Sequence, residues 1–118
     1  LAVMPNRQAH VHCYLRDDNQ QYQRIFPNRF NRDTLVRAGE SLQLPGRMRF
    51  QIVASPRGLT EAVVCYATER DVTAQLPRRI AGADFESLPV NSFDDIKNAF
   101  REVTGEQFAE GVFHVRTR

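Results

Sequence analysis

The sequence predicts a mainly β fold: an antiparallel β-sandwich-like domain of about seven or eight short strands, with one C-terminal α-helix packed on it. Three observations predict this fold. Apolar and polar residues alternate in several short segments, which is the period of a strand. Turn-forming residues separate these segments at intervals of about 8–12 residues, as in antiparallel sandwiches and barrels. One segment with helical spacing lies near the C-terminus.

The strands are predicted mostly in the first two thirds of the chain. Residues 9–15 (AHVHCYL) alternate, so that Cys13 lies on the opposite face from His10 and His12. The apolar segment 59–67 places Cys65 on the face of Val63. We expect strands at 9–15, 21–26, 42–44, 47–54, 59–67 and 111–116. Their separating turns are predicted at RDDNQ, Pro27-Asn28, Gly39-Glu40, Pro45-Gly46 and 55–58.

The sequence changes character at about Thr68. Residues 69–91 predict an irregular connection, since they hold two prolines and a glycine. A helix is predicted at 92–104, because Ser92 is a good N-cap and Gly105 ends the pattern. Its apolar stripe is formed by Phe93, Ile96, Phe100 and Val103. We therefore expect one domain over 1–118: a β core at 1–68, the connection, the helix, and a final strand at 111–116.

Composition and charge exclude some classes of protein. No apolar run is long enough to span a membrane. The net charge is only +2, and no RNA-binding or basic-helix signature is present, so nucleic acid is not an expected partner. Fifteen of the sixteen basic residues are arginine, which suits bidentate recognition of carboxylate or phosphate. A GC-rich genome also explains this bias. Because the chain begins at Leu1, we expect a processed mature protein or a trimmed domain, with any export signal already removed.

The two cysteines, Cys13 and Cys65, belong to no C-x-x-C motif. Both are predicted on inward faces of strands. In an oxidising compartment they could form a disulfide, which would add about 2–4 kcal/mol to the free energy of unfolding. In a reducing compartment they would remain buried thiols. A catalytic thiol has little support, because the nearest histidines lie on the opposite face of the strand.

The histidines His10, His12 and His114 are the candidates for a metal site. His10 and His12 share one strand face, and His114 in the last strand could complete the set. The simpler interpretation is that these histidines are solvated or hydrogen-bonded on an outer sheet face. We expect no resident metal or other cofactor.

Catalytic motifs are absent from the sequence. It contains no G-x-S-x-G, G-x-G-x-x-G or Walker-type run. The paired carboxylates at 17–18 and 94–95 have explanations as a turn and a helix start. The sequence therefore predicts a protein that is not an enzyme.

The succession of motifs over residues 9–68 is similar to the bacterial domain of unknown function 4384 family. The segments that carry the resemblance are HVHCYL, YQRIFPNRF, LVRAGESLQLP, FQIVAS, Pro56-x-Gly58 and EAVVCYAT. The most specific are FPN at 26–28, AGE at 38–40 and Pro56-x-Gly58. The resemblance implies an exported or envelope-associated bacterial protein without catalytic residues, whose relatives are often fused to peptidase-like, kinase or curli-assembly-like modules. The helix and last strand after Ser92 are expected as an extension beyond the family pattern.

The function expected from these observations is a non-catalytic binding or assembly module in the periplasm or cell envelope. A protein partner, or another domain of the same envelope protein, would meet the arginine-rich loop 28–37. The residues predicted to be exposed there are Asn28, Arg29, Asn31, Arg32 and Arg37. Two alternatives remain open: a metal-binding or enzymatic module using the histidines, and a structural spacer. The sequence leaves the oligomeric state open.

Overall fold

The fold is described from a computed structural model of the chain. The structure describes residues 2–3, 7–17, 19–29, 31–39, 42–43, 61–84 and 86–115. The strand predicted at 47–54 and the turns predicted at 45–46 and 55–58 lie outside these residues.

Strands dominate the described residues. They are β1 (Ala2–Val3), β2 (Ala9–Arg16), β3 (Tyr22–Phe26), β4 (Leu35–Val36), β5 (Leu42–Gln43), β6 (Glu61–Thr68) and β7 (Ala109–Val115). Five of them form one antiparallel sheet in the order β3-β2-β6-β7, with β4 also pairing β2. The two-residue strands β1 and β5 pair separately. The helical elements are a 3₁₀ turn (Thr73–Gln75), α1 (Arg78–Ala81) and α2 (Phe93–Thr104).

The strand β2 organises the sheet. One of its edges pairs with β6 from His10↔Thr68 to Arg16↔Ala62. Its other edge is divided between β4 at Ala9 and His10 and β3 from Cys13 to Arg16. The connection between β3 and β4 therefore leaves and rejoins the same edge of β2, which positions the arginine-rich loop beside the sheet.

Both faces of this sheet are buried. On one face Tyr14 and Tyr66 pack against α2, where the rings of Tyr66 and Phe100 stack at 4.7 Å between centroids. On the opposite face Val11, Cys13, Leu15, Ile25, Phe26, Val36, Val63 and Cys65 form a second apolar cluster. The expectation that this face of β2 is an outer one is wrong for His12 and Tyr14, which face the helix and are buried. Both His10 and His12 are nevertheless hydrogen-bonded, which was one of the two expected states.

The helix α2 begins and ends where its capping residues predict. The Ser92 hydroxyl accepts a hydrogen bond from the Asp95 N–H at 3.3 Å, and Gly105 closes the helix with a φ of +63°. Of the predicted apolar stripe, Ile96 and Phe100 are fully buried, while Phe93 and Val103 are partly buried against the same cluster. The helix contains 12 residues, and no helix in the described ranges has the length and apolar character needed to cross a membrane.

The prediction of a mainly β fold with one packed helix is confirmed. The expected seven or eight strands of a sandwich are not shown, since the described residues give one five-stranded sheet beside the β1–β5 pair. The predicted connection at 69–91 is more regular than expected, because it contains the 3₁₀ turn and α1. Val72, Leu76 and Ile80, spaced four residues apart, turn inward there and are buried.

Candidate functional site

The loop after β3 is built around Asn28. The Asn28 side chain donates to the Ile25 carbonyl at 2.8 Å and accepts the Asn31 N–H at 3.0 Å. Backbone hydrogen bonds join the same two asparagines in both directions. Asn28 is only 2% exposed. The prediction of an exposed Asn28 at the partner surface is therefore wrong, because the amide satisfies backbone groups inside the turn.

Arg29 is held by a residue far along the chain. Its backbone N–H donates to Asp84 Oδ2 at 2.7 Å, and its guanidinium donates to Oδ2 through Nε and to Oδ1 through Nη2, each at 3.2 Å. This is a bidentate pairing of guanidinium and carboxylate. The Arg29 side chain is 56% exposed, but its polar end is already bound within the chain.

The electrostatics of this pair follow from its geometry. Burial of Asp84 opposes its ionisation, but the hydrogen bonds from the Arg29 side chain and backbone outweigh burial and hold the pKa of the Asp84 carboxyl below its ordinary value. The same hydrogen bond raises the pKa of Arg29. Both groups are therefore charged at neutral pH, and the pair is an internal link of the fold.

Arg24 makes a second link next to the first. Its Nε donates to the Pro27 carbonyl at 2.9 Å, while Nη1 donates to the carbonyls of Ala81 and Gly82, the latter at 3.0 Å. We call Arg24, Arg29 and Asp84 the arginine clamp. It joins the loop after β3 to the end of α1. Sequence reasoning missed Arg24 and Asp84, because nothing in local spacing connects residues that are more than 50 positions apart.

The end of the loop beyond the clamp is exposed. Asn31, Arg32 and Asp33 are exposed, as is Arg37 after β4. Within the described parts of the chain, the Arg32 side chain makes no hydrogen bond or ion pair. The turn that follows has Gly39 at a φ of +79°, the left-handed conformation expected there. Of the predicted partner residues, Asn31, Arg32 and Arg37 thus lie on the surface as expected.

The two cysteines are bonded to each other. Cys13 and Cys65 are direct cross-strand partners in β2 and β6, with Cα atoms 4.1 Å apart. Both are buried in the apolar cluster on the face opposite α2. Of the two alternatives that the sequence left open, the structure therefore has the disulfide rather than free thiols.

The histidines of β2 have separate hydrogen-bond partners. His10 Nδ1 lies 2.8 Å from Thr34 Oγ1, while His12 Nε2 lies 3.0 Å from Thr73 Oγ1. Thr73 in turn donates from its hydroxyl to Asp71 Oδ1 at 2.6 Å. Burial lowers the pKa of His12 to about 4. No local sequence pattern indicates that Thr73 and Asp71 lie beside His12, since they are about 60 positions away in the chain.

The backbone register does not bring the three histidines together. Tyr66 opposes His12 and Ala62 opposes His114, so the two histidines are separated by β6 and by four residues along it. That offset is roughly 13 Å along the strand direction. Among the residues that the structure describes, no group of three histidine, cysteine or acidic residues is arranged to hold a metal ion.

Comparison with known proteins agrees with the resemblance seen in the sequence. The profile of a family named Domain of unknown function (DUF4384) matches residues 1–71. Neither a curated protein nor a solved structure shows significant similarity to the chain. The match covers β1 to β6 and ends at Asp71, just before the 3₁₀ turn. Since it spans more than half of the chain, this protein belongs to the DUF4384 family.

Proposed function

We propose that this chain is a non-catalytic binding module of an exported, envelope-associated bacterial protein. Its contact surface is the loop tip formed by Asn31 and Arg32, together with the exposed Arg37 after β4. The partner is a protein that presents a carboxylate to Arg32, since a guanidinium pairs with a carboxylate in bidentate fashion.

The observation that carries this proposal is that some loop residues bind other parts of the chain while others are exposed to solvent. Asn28 and Arg29 are bound internally, whereas Arg32 projects from the loop that they hold. A loop that is already ordered loses little conformational entropy on binding. Arginine is also among the residues that contribute most to protein interfaces. The arginine clamp thus gives the tip a rigid base.

Two further features support the exported setting and the expected layered fold. A buried disulfide between the central strands is typical of proteins that fold in an oxidising compartment.

The face of the five-stranded sheet opposite α2 is buried as well. A second β layer, as in a sandwich, would explain this burial.

We propose a non-catalytic module because a substrate cannot reach the imidazole of His12. The histidine with the strongly lowered pKa, His12, is 1% exposed and lies beneath Phe100. A general base must reach the proton that it removes. A substrate cannot approach this imidazole while α2 is packed on the sheet.

The test is affinity capture from envelope extract with the wild type, Arg32→Ala, and the matched control Arg101→Ala. Both variants remove one exposed arginine, but Arg101 lies on α2, where it pairs with Glu106. We expect a specific protein to be retained by the wild type and the control, and its binding to fall at least tenfold with Arg32→Ala, as for an interface hot spot.

Circular dichroism of each variant checks that the fold is unchanged. Equal capture by all three proteins would exclude the loop tip as the contact surface. Capture of nothing by the wild type would favour the structural spacer.

A further inference from the structure

A hydrogen-bonded chain runs from the surface to the buried imidazole of His12. Asp71 Oδ1 accepts both the Thr73 N–H at 2.9 Å and the Thr73 hydroxyl at 2.6 Å. A carboxylate can only accept, and a hydroxyl has one hydrogen. Thr73 Oγ1 therefore accepts from His12 Nε2. This arrangement sets the neutral tautomer of His12, with its proton on Nε2 and a lone pair on Nδ1.

The second ring nitrogen has no such partner. In the part of the chain that the structure describes, His12 Nδ1 is buried and makes no hydrogen bond. The ring contacts Phe100 of α2 edge-on, with centroids 5.5 Å apart. A proton added to Nδ1 would create a buried charge and a buried donor at once. Both are costly when no acceptor compensates them.

The charged groups around His12 come from several elements. The Asp71 carboxylate favours the imidazolium, while Arg24 on β3 and His10 on β2 disfavour it. The neighbouring strand contributes Tyr66, whose phenol stays neutral because burial raises its pKa. The helix contributes the uncharged ring of Phe100. Burial outweighs the single favourable charge, so the neutral ring is the form that fits beneath the helix.

We propose that His12 is an acid-sensitive switch between the sheet and the helical layer, defined as residues 71–104. Protonation of its ring breaks the packing of Thr73 and Phe100 on β2. The helical layer then separates, while β2 and β6 stay joined by the bond between Cys13 and Cys65. Because Gly82 and Asp84 belong to the helical layer, its separation also breaks the arginine clamp. The switch itself rests on the surroundings of His12 and requires no partner at the loop tip.

The direction of the effect follows from proton binding. The pKa of His12 is about 4 in the folded protein, against 6.5 for the ordinary group. Between these values the open form binds more protons than the closed form, so closure is complete above pH 6.5 and weakens as the pH falls towards 4. From pH 6.5 to pH 4 the closing equilibrium falls by roughly 80-fold, and it approaches its full decrease of about 300-fold only well below pH 4.

The experiment measures hydrogen-exchange protection factors, corrected for intrinsic rates, from pH 6.5 to pH 4 on the full chain. In the wild type we expect protection at α2 amides to fall by roughly two orders of magnitude, and protection at β2 and β6 amides to fall much less. In His12→Phe, whose ring does not titrate, protection at α2 should stay nearly constant. His10→Gln is the matched control, since this half-buried neighbour bonds Thr34 instead and is only the smallest influence on His12. In this variant, protection at α2 should still fall with the pH, as in the wild type.

A second measurement keeps the test decisive if His12→Phe does not fold. The ring-proton shift of His12 in the wild type, followed by NMR against pH, should show no transition near 6.5. A transition near 6.5 with intact α2 protection would overturn the switch. So would an equal loss of protection at β2 and β6, because acid would then unfold the whole domain rather than release one layer.

Discussion

Arg29 and Asp84 lie 55 positions apart in the chain, yet each supplies the other with its principal polar partner. Arg29 contributes both a backbone N–H and a guanidinium, so the pair anchors the loop backbone and not merely a side chain. Beside it, Arg24 binds the carbonyls at the end of α1. At the scale of single residues, the arginine-rich stretch therefore serves two purposes: its first arginines stabilise the fold, and Arg32 faces solvent.

The clamp leads to a prediction about stability. Asp84→Asn keeps the size of the side chain but removes the charge that Arg29 pairs with. We expect urea unfolding at pH 7 to show a loss of about 1.5 kcal/mol, the lower end of the range for hydrogen bonds to charged groups, because the asparagine retains one acceptor oxygen. Glu86→Gln is the matched control, because it removes one acidic charge from an exposed position two residues away.

The difference in stability between the wild type and Asp84→Asn should also depend on pH. The pKa of Asp84 is lowered in the fold, so its contribution is complete above the unfolded value of about 3.9 and is lost as the pH falls through the folded value. The wild type and Asp84→Asn should therefore converge in stability only below about pH 4. A constant difference down to the lowest pH at which the protein stays folded would contradict the assignment.

At the scale of elements, the capping residues of α2 and its packing on the sheet favour the same helix. Ser92 begins the helix, Gly105 ends it, and the apolar stripe between them packs on Tyr14 and Tyr66. Asp95 contributes at the start as well, because its carboxylate accepts the Asn91 N–H at 2.9 Å. The helix boundaries thus follow from its own residues, while the sheet provides the surface that buries its stripe.

The cap leads to a prediction about this element. Ser92→Ala removes the acceptor of the Asp95 N–H, and we expect a loss of about 1 kcal/mol, or roughly 4 °C in Tm. Ser92→Asp should retain most of the stability, because aspartate is also a good N-cap. Thermal unfolding followed by circular dichroism measures both. Ser87→Ala, at an exposed position in the preceding segment, should leave Tm unchanged; an equal effect there would exclude a specific cap.

At the scale of the whole molecule, the family match and the folded unit have different boundaries. The match ends at residue 71, but β7 from the unmatched part pairs with β6 from Glu61↔Val115 to Ala67↔Ala109. The unmatched α2 covers the sheet face that contains Tyr14 and Tyr66. The expected extension after Ser92 is therefore built into the sheet of the family region. The bond between Cys13 and Cys65 cross-links β2 and β6, the two central strands of that sheet.

The disulfide leads to a prediction about the molecule as a whole. Replacing both cysteines by alanine removes a cross-link that spans 52 positions, and we expect a loss of about 2–4 kcal/mol in guanidinium unfolding. The oxidised wild type should also show the mass deficit of two hydrogen atoms under non-reducing conditions. The reduced wild type serves as the control and should match the double variant. Equal stability of the oxidised and reduced forms would contradict a structural role for the bond.

The amino-acid sequence by itself determined the class of the fold, the positions of β2, β3, β6 and α2, and the family, because alternation, capping and turn residues act over a few neighbouring positions. It could not decide which sheet face is covered: alternation separates two faces without saying what packs on each. The tertiary structure alone decided that His12 lies buried under Phe100, that Asp84 binds Arg29, and that Asn28 is internal. The first two depend on residues brought together from distant parts of the chain, for which local sequence patterns hold no information. The bonds of Asn28 are local, to Ile25 and Asn31, but its burial depends on how the turn packs in the fold.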